Sequence, residues 1–387
     1  MKSIPYSRQS IQEDDYNAIM KVLHSDFITQ GPEVINFENA LIKKFKVNHA
    51  LACSSGTAAL HLAYASMGAG STSLGIVPAV TFAATANSFH HLGSKVVFCD
   101  VDPTDGLIDL QSLEETLSKV DEDQLGQTNF VSPVSLAGKV APLQACRELS
   151  SKYGFKVVED ASHSPGAWSA KEKSCDCKWT DAACMSFHPV KHICCGEGGA
   201  VLTNSESVFE KAKLLRNHGI SRPFSEDHET PWQYQQVELG WNYRMTDMQA
   251  ALGISQLSRL ENSLSARKSK AKKYESAFSL PPFREYIELP RLQSGHSLHL
   301  YVIRFKIKGL RNQAYKFLKS RGILTQVHYI PLYRHPYFEN SVGRMRLPGA
   351  EEYFESCLSI PLFPTLGKTQ QEKVIDERIS YLIKDTL

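Results

Sequence analysis

Short apolar, β-rich runs alternate with stretches of helical periodicity from about residue 47 to residue 205. The runs at 49–53, 75–79, 95–99, 128–133, 155–159, 182–187 and 199–203 predict strands. Between and after them, segments 57–67, 82–91, 110–119, 143–153 and 206–217 predict helices. Alternation of this kind predicts an α/β domain built on a mostly parallel sheet. In such a sheet ligands gather at the carboxyl ends of the strands.

The pattern changes at Thr246. Thr246-Asp247-Met248-Gln249 has the T-x-x-Q form of a capping box. Apolar residues then recur at helical spacing (Met248, Ala251, Leu252, Ile254, Leu257, Leu260, Leu264), which predicts one long helix to about Phe278, ending before Pro281-Pro282. A strand-like run from Leu298 to Ile307, a helix near 311–320 and the run Ile323 to Val327 follow. The expected organisation is an N-terminal arm and helix (1–40), a large domain (41–245), and an interdomain helix with a smaller C-terminal α/β domain (246–387).

Composition adds exclusions. A net charge of +2 gives no general field for nucleic acid or a membrane surface, so an anionic ligand needs a local site. No apolar signal-peptide core follows Met1 to Tyr6, and no apolar run is long enough to span a bilayer. The nine cysteines are odd in number and scattered, which predicts reduced, packed thiols in a cytoplasmic protein rather than a disulfide framework. Cys175-Asp176-Cys177 lacks the C-x2-C spacing of a zinc site, and no metal is expected.

The chemistry gathers around Lys191, in Ser186-Phe187-His188-Pro189-Val190-Lys191-His192, followed by Gly196-Glu197-Gly198-Gly199. Asp160 ends another apolar run 31 residues upstream. A lysine on such a turn can carry pyridoxal 5′-phosphate as a Schiff base while the aspartate holds the ring nitrogen protonated. His163 can hydrogen-bond the phenolic oxygen of the cofactor, or serve as a satisfied structural histidine. Ser54-Ser55-Gly56-Thr57-Ala58 joins a strand to a helix, where backbone N–H groups and the Thr57 hydroxyl make an anion site. Gly56 allows close backbone approach, and Ser186 is a second phosphate donor. Phe82 can stack on the cofactor ring or belong to the core.

Together these residues resemble the DegT/DnrJ/EryC1/StrS family of sugar aminotransferases, of fold type I among the enzymes that use pyridoxal phosphate. Five motifs fall in the family's order: Phe27 to Pro32, Ser54 to Leu60, Glu159 to His163, Ser186 to Lys191, and Gly240 to Met245. The resemblance implies that Lys191 binds the cofactor and shuttles protons, with pyridoxamine 5′-phosphate as the intermediate form. It also implies that Asp160 pairs with the ring nitrogen, His163 meets the ring hydroxyl, and Gly56, Thr57 and Ser186 hold the phosphate. Asn242 is implied to reach the phosphate of a neighbouring subunit, hence a homodimer with shared active sites.

Tyr6-Ser7, the Leu298 to Tyr301 run and Arg321 to Tyr333 resemble the branch that aminates a UDP-linked 4-keto-6-deoxy sugar for pseudaminic acid. By that resemblance Tyr6, Asp26, Phe27, Ile28, Thr29, Ser55, Gln326, Val327, His328 and Tyr329 line the nucleotide-sugar site, and L-glutamate donates the amine. A dTDP-linked keto sugar, a sugar dehydratase and a non-catalytic regulatory protein remain alternatives, although Lys191 argues against the dehydratases, which carry histidine there. Cys194-Cys195 departs from the family, which has hydroxyl residues at that point; a thiol donates hydrogen bonds more weakly.

Overall fold

The computed structural model describes residues 3–120, 128–222, 230, 232–292 and 295–377. Helices α1 (Glu13–Leu23) and α2 (Pro32–Phe45) come first. The strands β1 (His49–Cys53), β2 (Leu74–Pro78), β3 (Lys95–Cys99), β4 (Phe130–Val131), β5 (Lys156–Asp160), β6 (Ala182–Ser186) and β7 (Gly199–Thr203) form one seven-stranded sheet. Helices α3 (Gly56–Ser66), α4 (Ala84–His90), α5 (Leu110–Ser118) and α6 (Leu143–Lys152) are interspersed, and α7 (Glu206–Arg216) follows. The strand order is β1-β7-β6-β5-β4-β2-β3; β7 alone runs antiparallel to its neighbours β1 and β6, and the other pairs are parallel.

The rest of the chain includes the short ladder of β8 (Ile220–Ser221) and β9 (Gln235–Gln236), then α8 (Asp247–Ser258), α9 (Leu260–Phe278) and α10 (Phe283–Tyr286). A three-stranded antiparallel sheet of β10 (Ile287–Glu288), β11 (Tyr301–Phe305) and β12 (Cys357–Ile360) is accompanied by α11 (Leu310–Ser320), α12 (Pro336–Val342), α13 (Pro348–Ser356) and α14 (Lys368–Asp376). This is the smaller C-terminal α/β unit.

Local sequence explains the elements that shape the site. Helix α3 is apolar all round, and Ala58 through Tyr64 are all buried, as a helix sealed inside a core must be. Its Ser55 Oγ accepts the Ala58 N–H at 3.0 Å and sets where it begins. Gly199 on β7 runs so close to that start that a Cβ would stand 2.3 Å from the Ser55 carbonyl oxygen. The capping box at Thr246 forms in both directions, with the Gln249 N–H donated to Thr246 Oγ1 and the Thr246 N–H donated to Gln249 Oε1.

Three expectations are corrected. The single helix from 246 to 278 is two, because Arg259 leaves helical geometry (φ −104°, ψ 10°), and its Nη2 meets the buried Asp15 of α1 at 2.7 Å. The strand expected over 128–133 keeps only Phe130–Val131 as ladder; Pro133 has no N–H to extend it. The expected arm with one helix contains two helices. One apolar core cluster joins both parts of the chain: Leu300, Val302 and Tyr353 pack with Val77, Phe98 and Phe130 of the large sheet.

Candidate active site

A cavity of about 700 Å³ opens at the carboxyl ends of the central strands, between them and the 326–335 segment. Asp160, the last residue of β5, is buried at its floor. Its carboxylate accepts Thr85 Oγ1–H at 2.8 Å and the Ser162 N–H at 3.1 Å. Because the Thr85 proton is committed to Asp160, the 2.8 Å contact between Thr81 and Thr85 runs with Thr81 as donor. A chain of hydroxyls from the start of α4 thus fixes the aspartate. The preceding residue, Glu159, points to the opposite side of β5, as strand alternation requires. It accepts Ser135 Oγ, Ser174 Oγ and the Cys175 N–H, and burial raises its pKa. One carboxylate is spent on structure and the other faces the cavity.

Lys191 lies on the turn that leaves β6. The turn is closed by Phe187 N–H to Gly198 O (2.8 Å), Cys195 N–H to Phe187 O (2.9 Å) and Lys191 N–H to His188 O (2.9 Å). Ser7 Oγ donates to Val190 O at 3.2 Å, so the N-terminal arm braces it. The lysine is half-buried rather than solvated. Burial pulls its pKa down to about 8, against the charge of Asp160, which pulls it up. The amine is thereby within reach of its neutral, nucleophilic form near neutral pH.

Gly56, Thr57 and Ser186 come together across the start of α3: a Cβ on Gly56 would stand 2.8 Å from Ser186 Cβ. Since Ser55 takes the Ala58 N–H, the Gly56 and Thr57 N–H groups are left without a helical acceptor and line the cavity. Phe82 stands at the mouth, 60% exposed, its ring 6.0 Å from that of Tyr329. His163 is buried; Nδ1 accepts the Ala137 N–H at 3.4 Å, and Nε2 is 3.3 Å from Tyr329 Oη. Burial first, then Lys191 and neighbouring histidines, keep it neutral. Ser55 lines the cavity beside Gly56, and Tyr6 and Gln326 to Tyr329 line it from the arm and the 326–335 segment. There His328 Nδ1 lies 2.8 Å from Ser359 Oγ and its ring 5.3 Å from that of Tyr6, while burial lowers its pKa to about 3.

Five expected residues do not line this cavity: Asp26, Phe27, Ile28, Thr29 and Asn242. They share another region of the surface. Thr29 bridges Thr246, Ile28 O accepts the Asp247 N–H at 3.1 Å, and Asn242 bridges Asn217. Cys194 and Cys195 are also outside the cavity; both are buried free thiols. Cys195 Sγ packs on α8, where a Cβ added to Gly253 would approach it to 2.9 Å. Among the described residues no cluster of His, Cys, Asp or Glu is arranged to hold a metal ion.

Sequence reasoning missed Thr81 and Thr85, which orient Asp160; their i, i+4 spacing at a helix start was the available signal. It also missed the stack behind the site, where His299 lies 4.3 Å from His163 and 5.4 Å from His192 by ring centroids. Nothing local in the sequence brings these histidines together.

A cavity with a buried carboxylate, a desolvated lysine, a cradle that a Cβ on Gly56 would fill and an exposed aromatic at its mouth fits pyridoxal phosphate group for group. Fold and site therefore define a pyridoxal-phosphate-dependent transferase. The chain belongs to the DegT/DnrJ/EryC1/StrS aminotransferase family, whose profile matches residues 9–378. It is 35% identical over 383 residues to the UDP-4-amino-4,6-dideoxy-N-acetyl-beta-L-altrosamine transaminase of Campylobacter jejuni, covering 98% of each chain. Among solved structures it resembles Helicobacter pylori PseC, an aminotransferase involved in the biosynthesis of pseudoaminic acid (TM-score 0.89, 29% identity, 99% of this chain and 100% of that one). It also resembles the PLP form of the sugar aminotransferase Spr1654 from Streptococcus pneumoniae (TM-score 0.89, 25% identity, 100% of both chains). The protein is a sugar aminotransferase.

Proposed function

We propose that this enzyme moves the amino group of L-glutamate to the C4 keto group of a UDP-linked 2-acetamido-2,6-dideoxy-4-hexulose, in pseudaminic acid or related glycan biosynthesis. The observation that carries the chemistry is the placing of Lys191 and Asp160 in one cavity beside the Gly56–Ser186 cradle. Full-length similarity to the Campylobacter jejuni transaminase supports the substrate.

Pyridoxal phosphate, when bound, supplies an electron sink for the charge left as a substrate C–H bond breaks. Asp160 holds the ring nitrogen, Gly56, Thr57 and Ser186 the phosphate, Phe82 a ring face, and His163 the ring hydroxyl. With the cofactor bound, Lys191 Nζ, neutral in part because burial holds its pKa near 8, would move the proton off the donor carbon in one half-reaction and deliver a proton to the sugar C4 in the other. Tyr6, Ser55 and Gln326 to Tyr329 orient the sugar nucleotide.

Asn242 and the Asp26–Thr29 segment serve the cavity of a second subunit in a homodimer. Exposed Tyr16, Met20, Leu23, Phe27, Ile28 and Ile35, on α1, α2 and the link between them, support a contact surface there. Nine buried free thiols suit a reducing cytoplasm. The test is incubation with L-glutamate and a panel of UDP- and dTDP-linked 4-keto sugars, with products identified by NMR. Amination of the UDP-linked acetamido sugar is expected; turnover of dTDP-linked sugars alone would refute the substrate.

A further inference from the structure

The N-terminal arm, residues 3–12, is tied down along its length. Near its start the Ile4 N–H donates to Gly322 O at 2.8 Å, and Ile4 O accepts the Leu324 N–H at 2.8 Å. Tyr6 O accepts the Leu362 N–H at 2.9 Å. At the other end Gln256 Nε2 donates to Ser10 O at 3.0 Å, and the Gln12 N–H donates to Asp15 Oδ2 at 2.9 Å. Asp15 is fully buried and also takes Ser255 Oγ–H and Arg259 Nη2, so a paired charge anchors that end. A segment held at both ends gives a side chain midway a fixed place.

Ser7 has that place. It is 6% exposed, and its Oγ donates to Val190 O at 3.2 Å. Among the described residues no other hydrogen bond reaches that carbonyl. The carbonyl belongs to the peptide that joins Val190 to Lys191, and the N–H of the same peptide goes to His188 O at 2.9 Å, inside the turn. Because a peptide unit is planar, holding its C=O also fixes the direction of the N–Cα bond from which the lysine departs. Ser7 thus ties this peptide to a part of the chain outside the turn. A reacting group displaced by about 1 Å loses rate steeply, so an amine that must reach more than one atom depends on such a tie.

We propose that Ser7 is a positioning residue for Lys191: its hydroxyl fixes the 190–191 peptide from the arm, and with it the aim of the amine. The proposal rests on the reading of Lys191 as the cofactor-binding amine and deepens it. Tyr6, next in the chain, lines the cavity, so consecutive side chains of the arm serve the cavity wall and the amine.

The test compares Ser7→Ala, which removes the hydroxyl, with Ser7→Thr, which keeps it. Ser10→Ala is a control on the same arm, since its bond to Gln256 uses the backbone carbonyl. Each apo-protein is mixed with pyridoxal phosphate and covalent uptake is followed by absorbance; uptake joins Nζ to the aldehyde carbon and releases the oxygen as water. Ser7→Ala is expected to slow uptake about tenfold and to lower kcat about tenfold, with the KM values for L-glutamate and the keto sugar within about twofold of wild type. Ser7→Thr should restore both rates to within about twofold, and Ser10→Ala should match the wild type. Wild-type uptake and kcat in Ser7→Ala overturn the proposal, even if its Tm is lowered, because the serine is then structural only. An equal loss in Ser7→Thr overturns it as well. Lys191→Met separates the two readings. If that chain takes up pyridoxal phosphate as the wild type does, the assignment of Lys191 fails; if it does not, while Ser7→Ala behaves as wild type, the role of Ser7 alone fails.

Discussion

The cavity wall and the Asp26–Thr29 and Asn242 surface were both expected to serve the active site, yet only the first does so within one chain. Asp160, Lys191, Gly56 and Ser186 sit at ends of strands or at the start of α3, where the sheet brings distant segments to one edge. Asp26–Thr29 and Asn242 sit on exposed loops, Thr29 bridged to Thr246 and Asn242 to Asn217. The difference teaches that a buried sheet can complete the acid, base and anion parts of a site, whereas the outlying loops acquire their proposed role only against another surface.

Changes on the inner wall have the largest expected effects. Asp160→Asn keeps the shape but removes the charge, and turnover should fall by about a hundredfold to a thousandfold with protein folding intact; steady-state kinetics beside circular dichroism checks this. The outer surface is tested by mixing subunits. Lys191→Ala and Asn242→Ala chains, each weak alone, should on refolding together regain about a quarter of the wild-type sites, since half the dimers are mixed and each mixed dimer holds one intact site. No recovery would place Asn242 outside a shared site.

A smaller effect concerns the apo-protein. Burial holds Lys191 near 8 when folded, against an ordinary 10.5, so between those values the unfolded chain carries a proton that the folded chain lacks. Stability should rise with pH across that window and bear the full cost below it. Lys191→Met should therefore raise the apo Tm at about pH 7 and lose that advantage by about pH 10; a constant difference would contradict the burial of the amine. The smallest effect is expected at Cys195, which packs on Gly253 away from the cavity. Cys195→Ser should cost about 1–2 kcal/mol in denaturant unfolding and leave kcat unchanged.

Much of this was legible before the fold was known, for physical reasons. Strands buried in the central sheet read as continuous apolar runs, so β1, β2, β3, β5, β6 and β7 were placed within a residue or so. Asp160 and Lys191 were legible because polar residues that end such runs stand where ligands bind. The break at Arg259 was not, because the apolar spacing continues through it and the ion pair with Asp15 is made 244 residues away in sequence. Nor was the packing of Thr85 on Asp160, or of His299 between His163 and His192, since both depend on how the chain returns rather than on local pattern. The brace from Ser7 to the Lys191 turn was invisible for the same reason, since Ser7 and Val190 are 183 residues apart.

The most direct test of the account is the absorbance of the holoenzyme on adding L-glutamate alone, wild type beside Lys191→Ala. The account predicts that the wild-type pyridoxal band bleaches to the pyridoxamine form and returns when the keto sugar is added. Lys191→Ala should retain pyridoxamine phosphate but show neither change at a comparable rate. Conversion of Lys191→Ala as fast as wild type would contradict the assignment of Lys191 as the group that moves the proton.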